Sequence, residues 1–217
     1  MAKPRTVFVC SACGADAPRW AGQCSACGEW NTLTSFTESR AARALASVGP
    51  VAAAQTIAGL AGTEEARLAT GFAELDRVIG GGLVPGSVIL IGGDPGIGKS
   101  TLLLQVLGAL DGRLSTLYVT GEESLAQVGL RASRLGLGSL ALPVLAETSV
   151  EQVLQLLQGQ RPGLVVIDSI QTLYTEALDS APGSVSQLRE CAAQLVRFAK
   201  THGTTVVLVG HVTKEGA

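Results

Sequence analysis

The nine residues from Gly93 to Thr101 read GDPGIGKST, and they fit the pattern G-x-x-x-x-G-K-[ST] with Gly93, Gly98, Lys99 and Ser100 at its fixed places. The flanks agree with it. The apolar run Ser87-Val-Ile-Leu-Ile91 comes before and Leu102-Leu-Leu-Gln-Val-Leu107 after, the order of strand, glycine loop and helix start that a phosphate-binding loop requires. Glycines let the loop through Asp94, Pro95, Gly96 and Ile97 turn its N–H groups inward around phosphate oxygens, with no Cβ in the way. A helix beginning near Lys99 adds the positive end of its dipole. The Lys99 ammonium neutralises β- and γ-phosphate oxygens, and Ser100, followed by Thr101, offers a hydroxyl to Mg2+. This stretch predicts a nucleoside triphosphate site.

Upstream, Cys10, Cys13, Cys24 and Cys27 form C-x2-C-x10-C-x2-C within CSACGADAPRWAGQCSACGEW. Two close pairs, each on a tight turn ending in Gly14 or Gly28, can wrap one tetrahedral ion from both sides. Zn2+ is the expected ion; rubredoxin-like iron uses the same four thiolates and stays open. A redox role for one pair fits poorly, because there are two pairs and no βαβ pattern around them. The short central spacing predicts a compact ribbon or paired knuckles. A module of about forty residues buries too little apolar surface to fold alone, so the metal is expected to supply its folding energy. Trp20 and Trp30, the only tryptophans, are expected to cap this small core rather than to stack on bases.

Composition narrows the classes further. A chain of 217 residues, 47% hydrophobic and 16% charged, accommodates one ordinary domain and a small module. Aromatic residues make up 4%, so Val, Leu, Ile and Ala must fill the interior. No apolar stretch reaches membrane-spanning length, the first residues lack a signal-peptide core, and the fifth cysteine, Cys191, has no obvious mate. These features predict a cytoplasmic protein without membrane contact or disulfides. A net charge of −2 carries no global signature of nucleic-acid binding, so any DNA contact must come from local patches.

Residues 1–36 are assigned to the metal module. Residues 37–68, rich in Ala and free of aromatics, are assigned to a linker with a short helix at 38–46, broken at Gly49-Pro50. In residues 69–217, strands at 88–92, 116–120, 142–145, 164–168 and 205–210 alternate with helices at 72–78, 99–110, 125–135, 150–158 and 184–201. Apolar strands separated by helices predict an α/β fold, a parallel sheet with helices on both faces.

Leu164-Val-Val-Ile-Asp168 is an apolar strand ending in a carboxylate, from which Asp168 can hold the Mg2+ shell. Leu117-Tyr-Val-Thr120 runs into Gly121-Glu122-Glu123-Ser124, and hydrolysis needs a carboxylate to orient and deprotonate water. Glu122 is the favoured base and Glu123 the next; alternatively, both glutamates only favour the helix start after Ser124. His211, at the end of the last strand, is a candidate contact for the γ-phosphate. The catalytic candidates are thus Glu122, Lys99 and His211. Cys191 shares a helix face with Leu188, Leu195 and Phe198 and reads as core. Arg131 and Arg134 read as a solvated face. The loop Tyr174–Gly183 (YTEALDSAPG) is long, carries no element signal and lies next to Asp168, which favours function, although Glu176 and Asp179 do not suit phosphate contact.

Joined in this order, CSACGADAPRWAGQCSACGEWNTL, TGFAELDRVIGGGLVPGS, GGDPGIGKST, YVTGEES, LVVIDSIQT, SAPGSVSQLRE and VGHVTKEG resemble the bacterial RadA/Sms family of RecA-like DNA repair and recombination ATPases. The resemblance covers nearly all of the chain outside the linker. The phosphate loop, the LVVID strand and LDRVIGGGL are shared with RecA, DnaB and KaiC-like ATPases. The four-cysteine zinc ribbon, SAPGSVSQLRE and GHVTKEG make it specific. It implies a RecA-like P-loop ATPase core that binds ATP with Mg2+ and assembles as a homo-oligomeric, hexameric ring. It further implies ATP-driven movement on single-stranded and branched DNA, branch migration, and cooperation with the RecA recombinase. The family's catalytic glutamate falls on Glu122, its Walker B aspartate on Asp168 and its γ-phosphate sensor on His211, and a DNA-facing loop falls on Tyr174–Gly183. The strand carrying His211 is expected between the phosphate-loop strand and the Asp168 strand, with the Val88–Gly92 edge left open.

Family members continue past the position of Ala217 with a second DNA-facing loop, a KNRFG segment and a Lon-protease-like domain. A transition-state group supplied in trans is worth about 10³–10⁵ in rate. These residues alone are therefore expected to bind ATP, to hydrolyse it weakly and not to process DNA. Two other classes compete: a KaiC-like nucleotide-gated ring acting on protein partners, and a ribbon-based binding module whose P-loop domain is only a switch. The ribbon speaks against the first, and the joint presence of Lys99, Glu122 and Asp168 against the second.

Overall fold

The cysteine-rich segment forms its own small sheet. In the computed structural model, which describes residues 6–37, 56 and 66–211, β1 (Thr6–Cys10), β2 (Asp16–Ala17) and β3 (Leu33–Thr37) pair antiparallel in the order β2-β1-β3. β1 and β3 run from Thr6 opposite Thr37 to Cys10 opposite Leu33, so the first cysteine turn lies against the strand that leaves the module. Its buried core is Cys10, Cys24 and Leu33, with Phe8, Ala15 and Ala17 beside them. Trp20 and Trp30 do not cap that core: they are 57% and 67% exposed. A core whose centre is two converging thiols has no room for an indole, and both rings lie instead beside Gly22.

The chain divides into two compact units, Met1–Glu65 and Ala66–Ala217. The predicted linker 37–68, including its short helix at 38–46, lies outside the described residues except for Thr37, Thr56 and 66–68.

The second unit alternates as expected: α1 (Ala73–Val78), β4 (Val88–Gly93), α2 (Lys99–Ala109), β5 (Thr116–Thr120), α3 (Leu125–Arg134), β6 (Val144–Ala146), α4 (Val150–Gln160), β7 (Leu164–Asp168), α5 (Val185–His202) and β8 (Thr205–His211). The five strands form one parallel sheet in the order β4-β8-β7-β5-β6, with β8 between β4 and β7 as the resemblance implied. β6 starts later than predicted. Pro143 has no N–H to donate, and pairing begins at Val144 opposite Tyr118. Among the described residues β4 is an edge strand, and its Leu90 is largely exposed.

Period-2 strands meet period-3.6 helices on both faces of the sheet. Val165 and Ile167 face a cluster with Val150, Val153 and Leu157 of α4 and Cys191, Leu195 and Phe198 of α5. Leu164 and Val166 face the opposite cluster, with Leu103, Leu104 and Leu107 of α2 and Val128 of α3. Each such side chain contributes roughly 1.5–3 kcal/mol of burial against its ordering cost. Cys191 is core, as its helix position predicts, and burial pushes its thiol up to about 12. Ser124, Ser149 and Ser184 cap α3, α4 and α5 by accepting from the N–H three residues on, and Gln127 returns the bond to complete a capping box. Among the described residues, no helix is long and apolar enough to cross a membrane.

Register brings four strand ends together. Thr120 lies opposite Asp168 and Gly93 opposite His211. The Gly121 N–H donates to the Asp168 carbonyl at 2.9 Å, which draws the chain after β5 onto the end of β7. A side chain at Gly121 has no room, because a Cβ there would fall 1.9 Å from Thr172 Oγ1 and 2.6 Å from its Cβ. Gly121→Ala is expected to cost about 1–3 kcal/mol of stability through overpacking, read as a lower urea midpoint; an unchanged midpoint would show that the Thr172 turn yields freely.

The two units should respond differently to metal removal. Chelation is expected to abolish the amide-exchange protection of the paired strands β1 and β3 while the melting transition of 66–217 persists. Retention of that protection in a metal-free sample would disprove metal-dependent folding of the ribbon.

Candidate nucleotide site and metal centre

The four sulfurs of Cys10, Cys13, Cys24 and Cys27 lie within 4.8 Å of one another. Cys10 and Cys27 are 3.7 Å apart, as are Cys13 and Cys24. A tetrahedron with Zn–S bonds of about 2.3 Å has edges of about 3.8 Å, so the donor set fits Zn2+. The two halves are built alike. Gly14 N–H donates to the Cys10 carbonyl and Gly28 N–H to that of Cys24, at 2.8 and 2.9 Å. Cys10 N–H reaches Ala15 O and Cys24 N–H reaches Glu29 O, at 3.0 and 2.9 Å. Gly14 and Gly28 close these turns at φ +72° and +77°. Thr32 Oγ1 lies 3.2 Å from Cys10 Sγ, where its hydroxyl can donate to a thiolate.

The phosphate loop joins β4 to α2. Gly96 and Gly98 have φ of +81° and +102°, and a Cβ on either would meet nothing within 4 Å. Backbone handedness therefore demands these glycines, and the space above them is open. Gly98 caps α2 without a side-chain bond, so the first N–H groups of the helix stay available. Lys99 is buried, and its Nζ donates to the carbonyls of Gly93 and Asp94 at 2.7 and 2.8 Å. Ser100 and Thr101 follow in the first turn, partly buried.

The strand ends supply the other groups. Lys99 Nζ is 3.4 Å from His211 Nδ1, and His211 Nε2 is 3.1 Å from Glu122 Oε1. An ammonium can only donate, so Nδ1 accepts from Lys99 and the ring proton on Nε2 goes to Glu122. Ser169 Oγ donates to the same Glu122 oxygen at 2.6 Å. A hydrogen-bonded chain thus runs from Lys99 through His211 and Glu122 to Ser169. Asp168, 9% exposed, ends β7 beside it. Glu123 takes no part: its carboxylate is paired with Arg131 and its N–H donates to Thr120 Oγ1. Arg131 is accordingly not a solvated residue, since α3 turns it back onto Glu123 and buries most of its side chain.

Several contributors escaped sequence reasoning. Tyr118 donates from its hydroxyl to Asp168 Oδ2. Gln171 Nε2 donates to the His211 carbonyl at 3.1 Å and steadies the end of β8. The segment Val212–Lys214 beyond it lies outside the described residues. The loop Tyr174–Gly183, expected to be without structure, is tied down by buried Gln187, whose Nε2 reaches the carbonyls of Thr175, Leu178 and Ser180 and whose Oε1 accepts the Thr175 N–H. A polar residue on the apolar face of a helix, or a phenol in an apolar strand, is the signal that such a partner exists.

Known proteins agree with this organisation. Residues 54–217 match the family described as AAA domain, and residues 8–35 match one described as Rubredoxin metal binding domain. Three curated proteins named DNA repair protein RadA are similar along the chain. Those of Salmonella typhimurium and Escherichia coli are 54% and 53% identical over 226 residues, and that of Bacillus subtilis 49% over 223. Each comparison takes in 100% of this chain and 49% of the relative, so the chain spans about half the length of the curated relatives it matches. With an AAA-type domain behind a four-cysteine zinc ribbon and half of its residues shared along its whole length, the chain belongs to the bacterial RadA/Sms family.

Proposed function

We propose that this chain is the nucleotide-hydrolysing part of a DNA repair ATPase, with a zinc ribbon over 1–36, a linker over 37–68 and the ATPase core over 69–217. One observation carries the reading: the hydrogen-bonded chain from Lys99 to Glu122 lies at the same sheet end as Asp168 and the open glycine loop. Gly93 to Gly98 offer backbone N–H groups to ATP, and Lys99 exchanges the carbonyls of Gly93 and Asp94 for β- and γ-phosphate oxygens. Ser100 and Asp168 would hold Mg2+, which would withdraw charge from the γ-phosphate. Glu122 orients and deprotonates water. His211, bonded to both Lys99 and Glu122, couples the state of the phosphate site to the base.

The relatives' name, DNA repair protein RadA, supports a role in DNA repair. The wider reading, which goes beyond that name, is a cytoplasmic, hexameric motor driven by ATP along single-stranded and branched DNA, acting in branch migration with RecA. In that setting the 217-residue chain is weakly active alone. The test is steady-state ATPase of the complete natural protein, with and without single-stranded DNA, at two salt concentrations. Stimulation should weaken steeply with salt, as phosphate contacts require. A flat response to DNA would favour a ring acting on protein partners instead.

Substitutions separate the roles. Glu122→Gln should lower kcat by about 10²–10⁴ with ATP binding retained, and Lys99→Ala should abolish DNA-stimulated turnover. Glu123→Gln should leave most of the rate. A larger loss from Glu123→Gln than from Glu122→Gln would transfer the base to Glu123.

A further inference from the structure

Tyr118 is 1% exposed, the largest fully buried side chain of the described residues, and it belongs to an apolar cluster with Leu103, Leu104, Leu107 and Val166. Its ring is accounted for by packing. Its hydroxyl is not: a phenylalanine would fill the same space without bringing a donor that needs a partner. That partner is Asp168 Oδ2. The ladder makes the contact possible, since Tyr118 stands two residues before Thr120, which opposes Asp168, and so shares its face of the sheet. Among the described residues, no other side chain donates a hydrogen bond to the Asp168 carboxylate. The remaining charges near the phenol, Arg131 and Glu123, are paired with each other.

We propose that Tyr118 is a positioning residue for the metal-binding carboxylate: its hydroxyl holds Asp168 by Oδ2 and leaves Oδ1 as the oxygen available to the Mg2+ of bound nucleotide. This rests on the reading of Asp168 as an Mg2+-holding group. The chemistry of the donor suits the task. A tyrosine hydroxyl is a neutral donor around neutral pH. A neutral donor orients a carboxylate without cancelling its charge, whereas a lysine or arginine at the same place would compete with the cation. Partners of this kind, one bond removed from a metal, typically govern metal affinity by about 10–100-fold.

The test measures the affinity of the complete natural protein for a fluorescent ATP analogue in saturating Mg2+ and again in EDTA. The ratio of the two affinities reports the metal-dependent part of binding. Tyr118→Phe keeps the ring and its packing, and its affinity in EDTA should equal that of the unsubstituted protein. Its ratio should fall roughly 10-fold. A purely structural role would shift both affinities together and leave the ratio intact, which would overturn the proposal. Asp168→Asn distinguishes the two layers. If it lowers the ratio while Tyr118→Phe does not, Tyr118 alone is ruled out. If Asp168→Asn leaves the ratio unchanged, the assignment of Asp168 falls and the proposal with it. In the double variant, Tyr118→Phe should add nothing to the loss from Asp168→Asn; an additive loss would show that the hydroxyl acts elsewhere.

Discussion

A parallel ladder forces all of its strands to end on the same edge, and the nucleotide site depends on that constraint. β4 hands its end to the glycine loop, β8 to His211, β7 to Asp168 and β5 to the turn carrying Glu122. These groups are far apart in the chain, from Gly93 to His211, and no local interaction could hold them in one place. Hydrogen bonds between neighbouring strands do it. Pairing of Gly93 with His211 and of Thr120 with Asp168 leaves little freedom in where the side chains emerge. The two apolar clusters on either face then hold the ladder in place.

Bringing charged and polar groups to a half-buried edge is costly unless each finds a partner. Here the partners are mutual. Lys99 rests on two loop carbonyls, Glu122 on Ser169 and His211, Asp168 on Tyr118, and Glu123 on Arg131. In the proposed function, a phosphate would compete with the carbonyls of Gly93 and Asp94 for the lysine. His211 touches both the lysine and the candidate base, and so links the two.

The two units meet the entropy of folding by different means. The second relies on continuous buried strands and helices capped by serines, whose apolar burial offsets the entropy of ordering them. Among the described residues, the ribbon's buried apolar cluster is Cys10, Cys24 and Leu33, two of them cysteines. Its paired glycine turns place the sulfurs at tetrahedral separations, where a bound ion would add thiolate–metal bonds to its stability. Its tryptophans are left outside because such a centre cannot enclose them.

Residue type and spacing alone determined the phosphate loop, the cysteine cluster and the alternation of strands with helices, because each is a local pattern: glycines where φ must be positive, cysteines two residues apart on a turn, apolar runs of strand length. The strand order followed only from resemblance to a family, not from any pattern in the chain. Tertiary structure alone distinguishes the surroundings of Glu122 and Glu123, since adjacent residues with the same side chain differ only in whether the fold offers Ser169 and His211 or Arg131. It also decided that Tyr118 donates to Asp168, that Gln187 holds the loop after Tyr174, and that Trp20 and Trp30 face outward. A hydrogen bond between side chains fifty residues apart leaves no periodic trace in either segment, and burial is a property of what surrounds a residue. Chemistry was written in the residues, and partnership was settled by packing.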